Sequence, residues 1–365
     1  MNTIGKNIQI TVFGESHGQT IGVVIDGLEA GIALDIDAIH FELLKRRPKS
    51  KVSTPRVELD EFNIVSGYSG GVLTGAALTI LVPNTNTASS DYDQTAFIPR
   101  PGHADYPAYV KYNGFHDKRG GGIFSGRMTV LLVIAGAIAK QILERKGVII
   151  ASHIDRIGSV VDSTFPPLGE DINVLKRLQT MDFPVIEPAK ESLMKQVILD
   201  ALEQNDSVGG SIESIIQGVQ AGIGEPLYRS IESTLAQYLF SIPAIKGVSF
   251  GDGFEFAKQT GTQSSDGYTQ KDGQIQTIAN HNGGILGGIS TSMPIIVHTV
   301  FKPTSSIASS QVSVDLLTNQ GVHLEIKGRH DPAIVNRGIH VVNAVLYIGM
   351  LDLYLDTYPR SWMKE

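Results

Sequence analysis

The chain has 365 residues, 42% of them hydrophobic and 18% charged, which is enough apolar material for a sizeable core. Its formal net charge of −7 excludes nucleic-acid binding by global electrostatics, and the lack of cysteine excludes disulfides and thiolate chemistry. The 39 glycines exceed the average usage of about 7%, so many turns or close backbone approaches are expected.

The first 82 residues predict several strands and one helix. The predicted strands span 7–13, 22–26, 62–66 and 76–82. The helix is expected to begin after Asp35, a favourable N-cap, and to end near Arg47 because Pro48 follows.

The rest of the chain mixes helices and strands without a regular βαβ rhythm, which favours an α+β fold. Helices are predicted at 125–147, 171–181, 190–204 and 339–355, and strands at 211–222 and 247–250. The region 148–242 carries few chemical signals, and the notable motifs lie on both sides of it. We therefore expect residues 1–365 to form one interlocked domain.

The sequence predicts a cytoplasmic protein that does not enter a membrane. Its N-terminus lacks a charged-then-apolar signal pattern, and the apolar run 129–139 is shorter than the roughly 20 residues that span a bilayer.

The segment FGESHG follows the first strand and contains Ser16 and His17. Histidine suits proton transfer because its ordinary pKa lies near neutrality. A turn with a merely hydrogen-bonded histidine fits this segment equally well. A metal site is disfavoured because no second histidine lies at ligand spacing.

A basic segment follows the first predicted helix, although the chain as a whole is acidic. Its cations are Lys45, Arg46, Arg47, Lys49, Lys51 and Arg56. A solvated helix face would explain such a run, but its density favours recognition of phosphate or carboxylate groups.

The segment RPGHADY contains His103, and the run RGGG precedes the predicted helix at Ser125. Glycines before a helix offer free N–H groups to a phosphate, although such loops are common without a ligand. The segment is not a Walker A sequence.

The last motifs are NHNGGILGGIST at 280–291, FKPTSSI and EIKGRHDP. The glycines of the first would suit either a flat ligand or a tight turn. The other two offer cations, hydroxyls and Asp331. Residue chemistry alone thus indicates an enzyme for a phosphorylated, carboxylated small molecule, with a flat phosphorylated cofactor.

In this order, GESHG, RPGHADY, RGGG, NHNGGILGGIS, KPTSSI and GRHDP resemble the signatures of the chorismate synthase family over essentially the whole chain. The resemblance implies a homotetrameric lyase with a β-α-β sandwich fold. It implies an anti-1,4-elimination of phosphate from 5-enolpyruvylshikimate 3-phosphate, which gives chorismate in the last step of the shikimate pathway. It also implies a requirement for reduced FMN, with NADPH as a reductant.

The resemblance further implies roles for single residues. His17 would lie near flavin N1 and the C2 carbonyl, and His103 would be the general acid for the departing phosphate. Ser16 and Asp331 would relay a proton with flavin N5, which collects the C6 hydrogen of the substrate.

Binding residues are implied in the same way, and no metal is expected. The substrate would contact Arg46, Arg47, Arg56 and Arg127. The flavin would contact Ser125, Pro243, Ala244, Gly287, Lys302, Pro303, Thr304, Ser305, Ser306 and Arg329. Arg46 and Lys51 match positions linked to nicotinamide nucleotide.

The chain departs from the family pattern at Ile123, Phe124, Met128, Lys51 and Asn343. Two alternatives to the lyase therefore stay open. One is a divergent FMN-binding homologue without elimination activity, and the other is an anion-binding module without catalysis.

Overall fold

The computed structural model describes residues 2–47, 60–85, 97–271, 273–326 and 331–364. In chain order, the strands of this part are β1 (Thr3–Ile4), β2 (Gln9–Phe13), β3 (Thr20–Asp26), β4 (Asn63–Ser66), β5 (Tyr68–Ser69), β6 (Val72–Leu73), β7 (Leu78–Pro83), β8 (Ile149–Ile157), β9 (Val160–Val161), β10 (Gly210–Gln217), β11 (Ile245–Phe250), β12 (Tyr268–Lys271), β13 (Gln274–Thr277), β14 (Ile285–Leu286), β15 (Ile289–Ser290), β16 (Ile295–Phe301), β17 (Gln311–Asp315) and β18 (Gln320–Leu324). The α-helices are α1 (Ile36–Arg46), α2 (Asp105–Lys111), α3 (Thr129–Arg145), α4 (Ile172–Thr180), α5 (Pro188–Glu203), α6 (Ile231–Phe240) and α7 (Val335–Thr357).

Two five-stranded antiparallel sheets enclose a pair of long helices. The first sheet has the order β1-β2-β3-β7-β4, and the second has the order β11-β16-β10-β8-β9. Helices α3 and α7 pack on each other; α3 also contacts β3, while α7 contacts β8 and β10. The helices therefore form the middle layer of a sheet–helix–sheet sandwich, and the predicted α+β class is confirmed.

The two central helices cross very closely. A Cβ atom at Gly136 of α3 would lie 2.4 Å from both Cα and Cβ of Ala344 in α7. Real side-chain atoms do not approach so closely, so glycine at position 136 permits the contact. Most of both helices is buried as a consequence.

Two of the described helices, Gly126–Arg145 and Val335–Thr357, are apolar and long enough to span a membrane by composition. Their most apolar windows are 72% and 89% buried inside the fold, respectively. Both are thus explained as core helices packed between the two sheets.

The predicted elements of the first sheet are found with small shifts at their ends. In β7, Leu78, Ile80 and Val82 are buried and alternate with less buried residues, which gives the period of two that identifies such strands. Asp35 caps α1 as predicted, because its side chain accepts a hydrogen bond from the Ala38 N–H at 3.0 Å. The predicted helix at 125–147 is α-helical only from Thr129, because Gly126–Met128 forms a 3-10 turn.

The sequence did not predict β8, β16 or α6. It predicted a strand to residue 222, whereas β10 ends at Gln217. Residues 210–216 of β10 are buried without interruption because Ile212 and Ile216 face the main core and Ile215 packs with Leu175 and Leu178 of α4 on the other face. A strand buried on both faces loses the alternation that identifies strands in a sequence.

The second sheet contains a buried charged triad formed by His153, Asp162 and Glu213. The His153 ring is fully buried, with Nδ1 3.0 Å from Asp162 Oδ2 and Nε2 2.7 Å from Glu213 Oε2. Burial alone would lower the pKa of His153, but the two carboxylates outweigh burial and raise this pKa to about 9. Since both ring nitrogens face acceptors, the imidazole is doubly protonated.

We predict that His153 makes the stability of the protein pH-dependent. Its raised pKa means that its contribution is complete below about pH 6.5 and is lost as the pH rises through about 9. The shift corresponds to roughly 3 kcal/mol of unfolding free energy. Urea unfolding between pH 6 and 10 checks this, with the exposed His323→Gln as control. A His153→Gln variant that keeps the wild-type alkaline loss of stability would contradict the prediction.

Candidate functional site

Ser16 and His17 lie in the turn between β2 and β3, next to the glycine run. Both residues are buried, with exposed fractions of 5% and 8%. The Ser16 hydroxyl lies 3.1 Å from His17 Nδ1 and donates to the Gly120 carbonyl at 3.4 Å. The Ser16 N–H donates to the Gly122 carbonyl at 3.3 Å. The two predicted catalytic residues are thus brought together and held against the glycine loop.

The glycine run lets the backbone lie directly on the His17 ring. Gly120, Gly121 and Gly122 have φ values of 58°, 89° and 51°, which favour glycine. A Cβ atom at Gly120 would fall 1.8 Å from His17 Cε1. Any side chain at this position would therefore displace the imidazole.

Asn84 joins the Ser16–His17 turn to the start of the α3 segment. Its amide nitrogen donates to the carbonyls of Glu15 at 3.0 Å and Gly18 at 2.8 Å. Its side-chain oxygen accepts from Arg127 Nε at 3.2 Å. The position of Arg127 is therefore tied to the turn that carries His17.

Asp60, Arg46 and Arg127 form a buried ionic group, which we call the Asp60 cluster. One carboxylate oxygen of Asp60 lies 3.2 Å from Arg46 NH1, and the other pairs with Arg127. The side chain of Asp60 is 1% exposed, and those of the arginines are 7% and 8% exposed. Two guanidinium groups thus lie side by side against one carboxylate in a buried region, and guanidinium groups suit phosphate and carboxylate ligands.

Arg46 also fixes the beginning of α3. Its Nε donates to the Thr129 hydroxyl at 3.1 Å, and its NH2 donates to the Gly126 carbonyl at 3.0 Å. Thr129 itself donates to the same carbonyl at 2.6 Å. Arg46, predicted to bind substrate, thus has a structural role as well. Arg47 ends α1, and its Nε is buried without a partner among the described residues.

Asp331 lies just before α7 and forms an ion pair with Arg337 in the first turn of that helix. Arg337 NH1 lies 2.8 Å from Asp331 Oδ2, and Arg337 Nε donates to the Arg46 carbonyl at 3.3 Å. The predicted relay residue is therefore connected to the helix end that carries Arg46 and Arg47.

His103 belongs to a second group of contacts. Its Nδ1 lies 3.0 Å from the Pro101 carbonyl, and its Nε2 lies 2.9 Å from the Ser306 hydroxyl. A carbonyl can only accept, so Nδ1 carries a proton and Nε2 of the neutral ring accepts from Ser306. Burial, followed by the nearby Arg100, lowers the pKa of His103 below its ordinary value.

The predicted flavin residues 302–306 surround the loop of His103. Lys302 donates to the Gly102 carbonyl at 2.6 Å, and the Ser305 hydroxyl donates to the same oxygen at 3.0 Å. The Lys302 N–H donates to the carbonyl of Ala244 at 3.0 Å, which places 243–244 beside this group. Ala244 has φ of 73°, a strained value for a residue with a side chain. Pro303 packs beside the backbone of Gly209.

Hydrogen bonds connect the His103 group to Asp331. The Ser207 hydroxyl donates to the Thr304 carbonyl at 2.7 Å, and the Val208 N–H donates to the Pro332 carbonyl at 2.8 Å. The adjacent residues Ser207 and Val208 thus contact the predicted flavin segment 302–306 and the residue after Asp331. The two groups are parts of one connected region.

The remaining predicted residues lie next to Arg127, in a separate hairpin or outside the described part of the chain. Ser125 caps the 3-10 turn by accepting from the Arg127 N–H at 3.2 Å. Gly287 lies in the β14–β15 turn, and hydrogen bonds from this hairpin run to the segment 222–231. Lys51, Arg56 and Arg329, which are predicted to bind ligands, lie outside the described residues.

Comparisons with known proteins agree with the signatures. The chorismate synthase family model matches residues 8–355. A chorismate synthase of Dehalococcoides mccartyi is 42% identical over 355 residues, covering 97% of this chain and 96% of the relative. One of Thermococcus gammatolerans is 42% identical over 358 residues, covering 98% of both chains. A crystal structure of a chorismate synthase superposes with a TM-score of 0.75 at 25% identity, covering 99% of this chain and 96% of that one.

The chain belongs to the chorismate synthase family. Chorismate synthases are carbon–oxygen lyases of aromatic amino acid biosynthesis. The family assignment and the family fold predicted from the sequence are both confirmed.

Four of the residues that depart from the common chorismate synthase pattern lie in the described part of the chain, and Lys51 lies outside it. Ile123 and Phe124 are 39% and 42% exposed, so they extend outward from the glycine loop. Met128 packs against the main core. Asn343 accepts a hydrogen bond from the Ser152 hydroxyl at 2.5 Å, inside the sandwich.

The sequence did not predict Asp60, Asn84 or Arg337 as site residues, although each contacts a predicted residue. Asn84 follows the end of a predicted strand, where a polar residue is a usable signal. Asp60 and Arg337 had no motif that distinguished them from surface charges. Their partners come from segments 14 to 67 residues away for Asp60 and up to 291 residues away for Arg337.

We predict that Asp60→Asn destabilises the protein by on the order of 3–5 kcal/mol, because it removes a buried carboxylate that two arginines share. Urea unfolding followed by circular dichroism measures this. The exposed pair of Glu255 and Lys258 supplies a control, and Glu255→Gln should leave the unfolding midpoint nearly unchanged. Equal effects of the two substitutions would show that the Asp60 cluster does not stabilise the fold.

Proposed function

We propose that this chain catalyses the anti-1,4-elimination of phosphate from 5-enolpyruvylshikimate 3-phosphate, giving chorismate. One observation supports this most directly. Ser16, His17, Arg46, Arg127 and Asp331, to which the family resemblance assigns roles, belong to one network of hydrogen bonds and ion pairs. The network connects residues from both ends of the chain, as a shared active site requires.

The substrate carries one phosphate and two carboxylates, groups that the guanidinium groups of Arg46 and Arg127 suit. Arg46 and Arg127 keep their guanidinium planes fixed through Asp60, so little side-chain freedom is lost when an anion binds. Arg47 and Arg56 would complete the anion site. Arg47 supports this role because its Nε is buried without a hydrogen bond to the described residues.

The residues present fit reduced FMN. The Thr304 hydroxyl is buried without a partner in the described part of the chain, and Lys302 offers a cation beside it in sequence. Such an unsatisfied hydroxyl suits a ligand that hydrogen-bonds to it. Ser125, Pro243, Ala244, Gly287, Pro303, Ser305, Ser306 and Arg329 would hold the rest of the cofactor. When bound, reduced FMN would supply an electron-rich ring that assists the loss of phosphate and accepts the C6 hydrogen.

His103 would protonate the departing phosphate. In the free protein its Nε2 accepts from Ser306, so the ring must gain a proton there before it can act as an acid. Binding of the substrate phosphate favours this change because a nearby anion raises the pKa of a histidine.

Ser16, His17 and Asp331 would handle the other proton. The Ser16 hydroxyl lies 3.1 Å from His17 Nδ1, close enough for a proton to be shared between them. Gly120 keeps the His17 ring in one orientation. His17 would face the flavin ring, and Ser16 and Asp331 would relay a proton with flavin N5, the atom on which loss of the C6 hydrogen depends.

We propose a cytoplasmic homotetramer in which residues 1–365 fold as one domain without nucleic-acid or membrane partners. A single hydrophobic cluster that includes Ile21 of the first sheet and Ile212 of the second supports the one-domain proposal. NADPH, bound with Arg46 and Lys51, would be the reductant of the flavin.

Phosphate release from 5-enolpyruvylshikimate 3-phosphate, under anaerobic conditions with dithionite-reduced FMN, tests the activity. Chorismate absorbance is followed in the same sample. We expect both products in equal amounts. FMN binding without phosphate release would instead favour the divergent FMN-binding homologue. Phosphate release with oxidised FMN would contradict the requirement for reduced FMN. Replacing dithionite by NADPH then tests the reductant.

We predict that His103→Ala lowers turnover at least 100-fold, in line with the loss of a general acid, while the Kd for FMN changes little. In the wild type, kcat/KM should fall at a lower pH than kcat, because burial lowers the pKa of free His103 and bound phosphate raises it. Initial rates between pH 5 and 9 measure both profiles. Wild-type turnover in His103→Ala would exclude His103 as the acid.

A further inference from the structure

Arg337 contacts two residues of the site and lies outside the recognised signatures. Its NH1 lies 2.8 Å from Asp331 Oδ2, and its Nε donates to the Arg46 carbonyl at 3.3 Å. We propose that Arg337 is a positioning residue that orients the Asp331 carboxylate for proton transfer. This inference rests on the proposed lyase function.

The guanidinium of Arg337 is held in place from several sides. Two of its nitrogens are used on two different acceptors, which fixes the plane of the group. Its backbone N–H donates to the Ile334 carbonyl at 3.1 Å in the first turn of α7. Val335 and Ile339, on either side of it in sequence, are fully buried. Arg337 therefore extends from a rigid part of the core.

The ion pair between Arg337 and Asp331 is sheltered from water. The Arg337 side chain is 27% exposed and the Asp331 side chain 15% exposed, so the pair is screened less than one on the open surface. A carboxylate held by a charged hydrogen bond keeps one rotamer, and a charged hydrogen bond is roughly twice as strong as a neutral one. Removing the arginine would take away one charged contact that orients the Asp331 carboxylate.

Arg337 also connects Asp331 to the backbone of Arg46. Arg46 is a member of the Asp60 cluster, and its carbonyl at the end of α1 receives the Arg337 Nε–H. Arg337 therefore fixes the position of the Asp331 carboxylate relative to the backbone of Arg46, which is proposed to bind substrate. A proton-transfer group that is misplaced by about 1 Å can lose about 100-fold in rate.

The test compares Arg337→Gln, Arg337→Lys, Asp331→Asn and the double variant Arg337→Gln/Asp331→Asn in the anaerobic assay. We expect Arg337→Gln to lower kcat about 10- to 100-fold, with KM changed less than about threefold. The primary isotope effect for a substrate deuterated at C6 should increase, because hydrogen removal becomes slower. Arg337→Lys keeps a charge near Asp331 and should restore part of kcat.

The double variant separates positioning from an independent role. If Arg337 acts through Asp331, the double variant should be no slower than Asp331→Asn, because the two losses are not additive. Fully additive losses, or a raised KM with unchanged kcat, would overturn the proposal and assign Arg337 a direct role toward substrate. Wild-type kinetics in Arg337→Gln would overturn it as well.

Two controls keep the outcomes distinct. Arg145→Gln removes an arginine that donates to the Ala33 carbonyl at 2.8 Å near the far end of α3, and it should leave kcat unchanged. Urea unfolding of each variant checks the fold, and Arg337→Lys gives the kinetic answer if Arg337→Gln does not fold. An inactive wild type would refute the lyase function itself, whereas an active wild type with a normal Arg337→Gln would refute only the role of Arg337.

Discussion

The close crossing of α3 and α7 is the constraint on which the candidate site depends. Gly136 allows the two helices to meet at Ala344 without a side chain between them. Arg127 and Thr129 lie at the beginning of α3, and Asp331 and Arg337 lie at the beginning of α7. Arg46 contacts both helix beginnings, through the Thr129 hydroxyl and through Arg337. The two sheets hold this arrangement from outside, and α1 supplies the residue that connects it.

Two buried charged groups differ in their arrangement. Around His153, one cation lies between the carboxylates of Asp162 and Glu213, and these side chains are buried. Around Asp60, two guanidinium groups lie against one carboxylate. Both groups cost desolvation free energy when the protein folds. Only the second contains residues for which a role in substrate binding is proposed.

The sequence predicted the α+β class, most strands of the first sheet and several helices, because those elements carry local signals. Asp35 before α1 and the alternation in β7 are examples. It did not predict β8 or β16, because burial on both faces removes the alternation. Within the site, the motifs identified Ser16, His17, His103 and Asp331. Asp60 and Arg337 could not be found because their importance comes from partners distant in sequence.

The contact between Gly120 and His17 means that these two positions cannot vary independently. A β-carbon on residue 120 would occupy the place of the imidazole, so the ring would have to turn away before the chain could tolerate it. A library that randomises only position 120 would therefore show the phenotype of a defective His17, although the histidine itself is unchanged. An exchange of this loop for one with a larger residue at position 120 would therefore require a new position for the His17 ring.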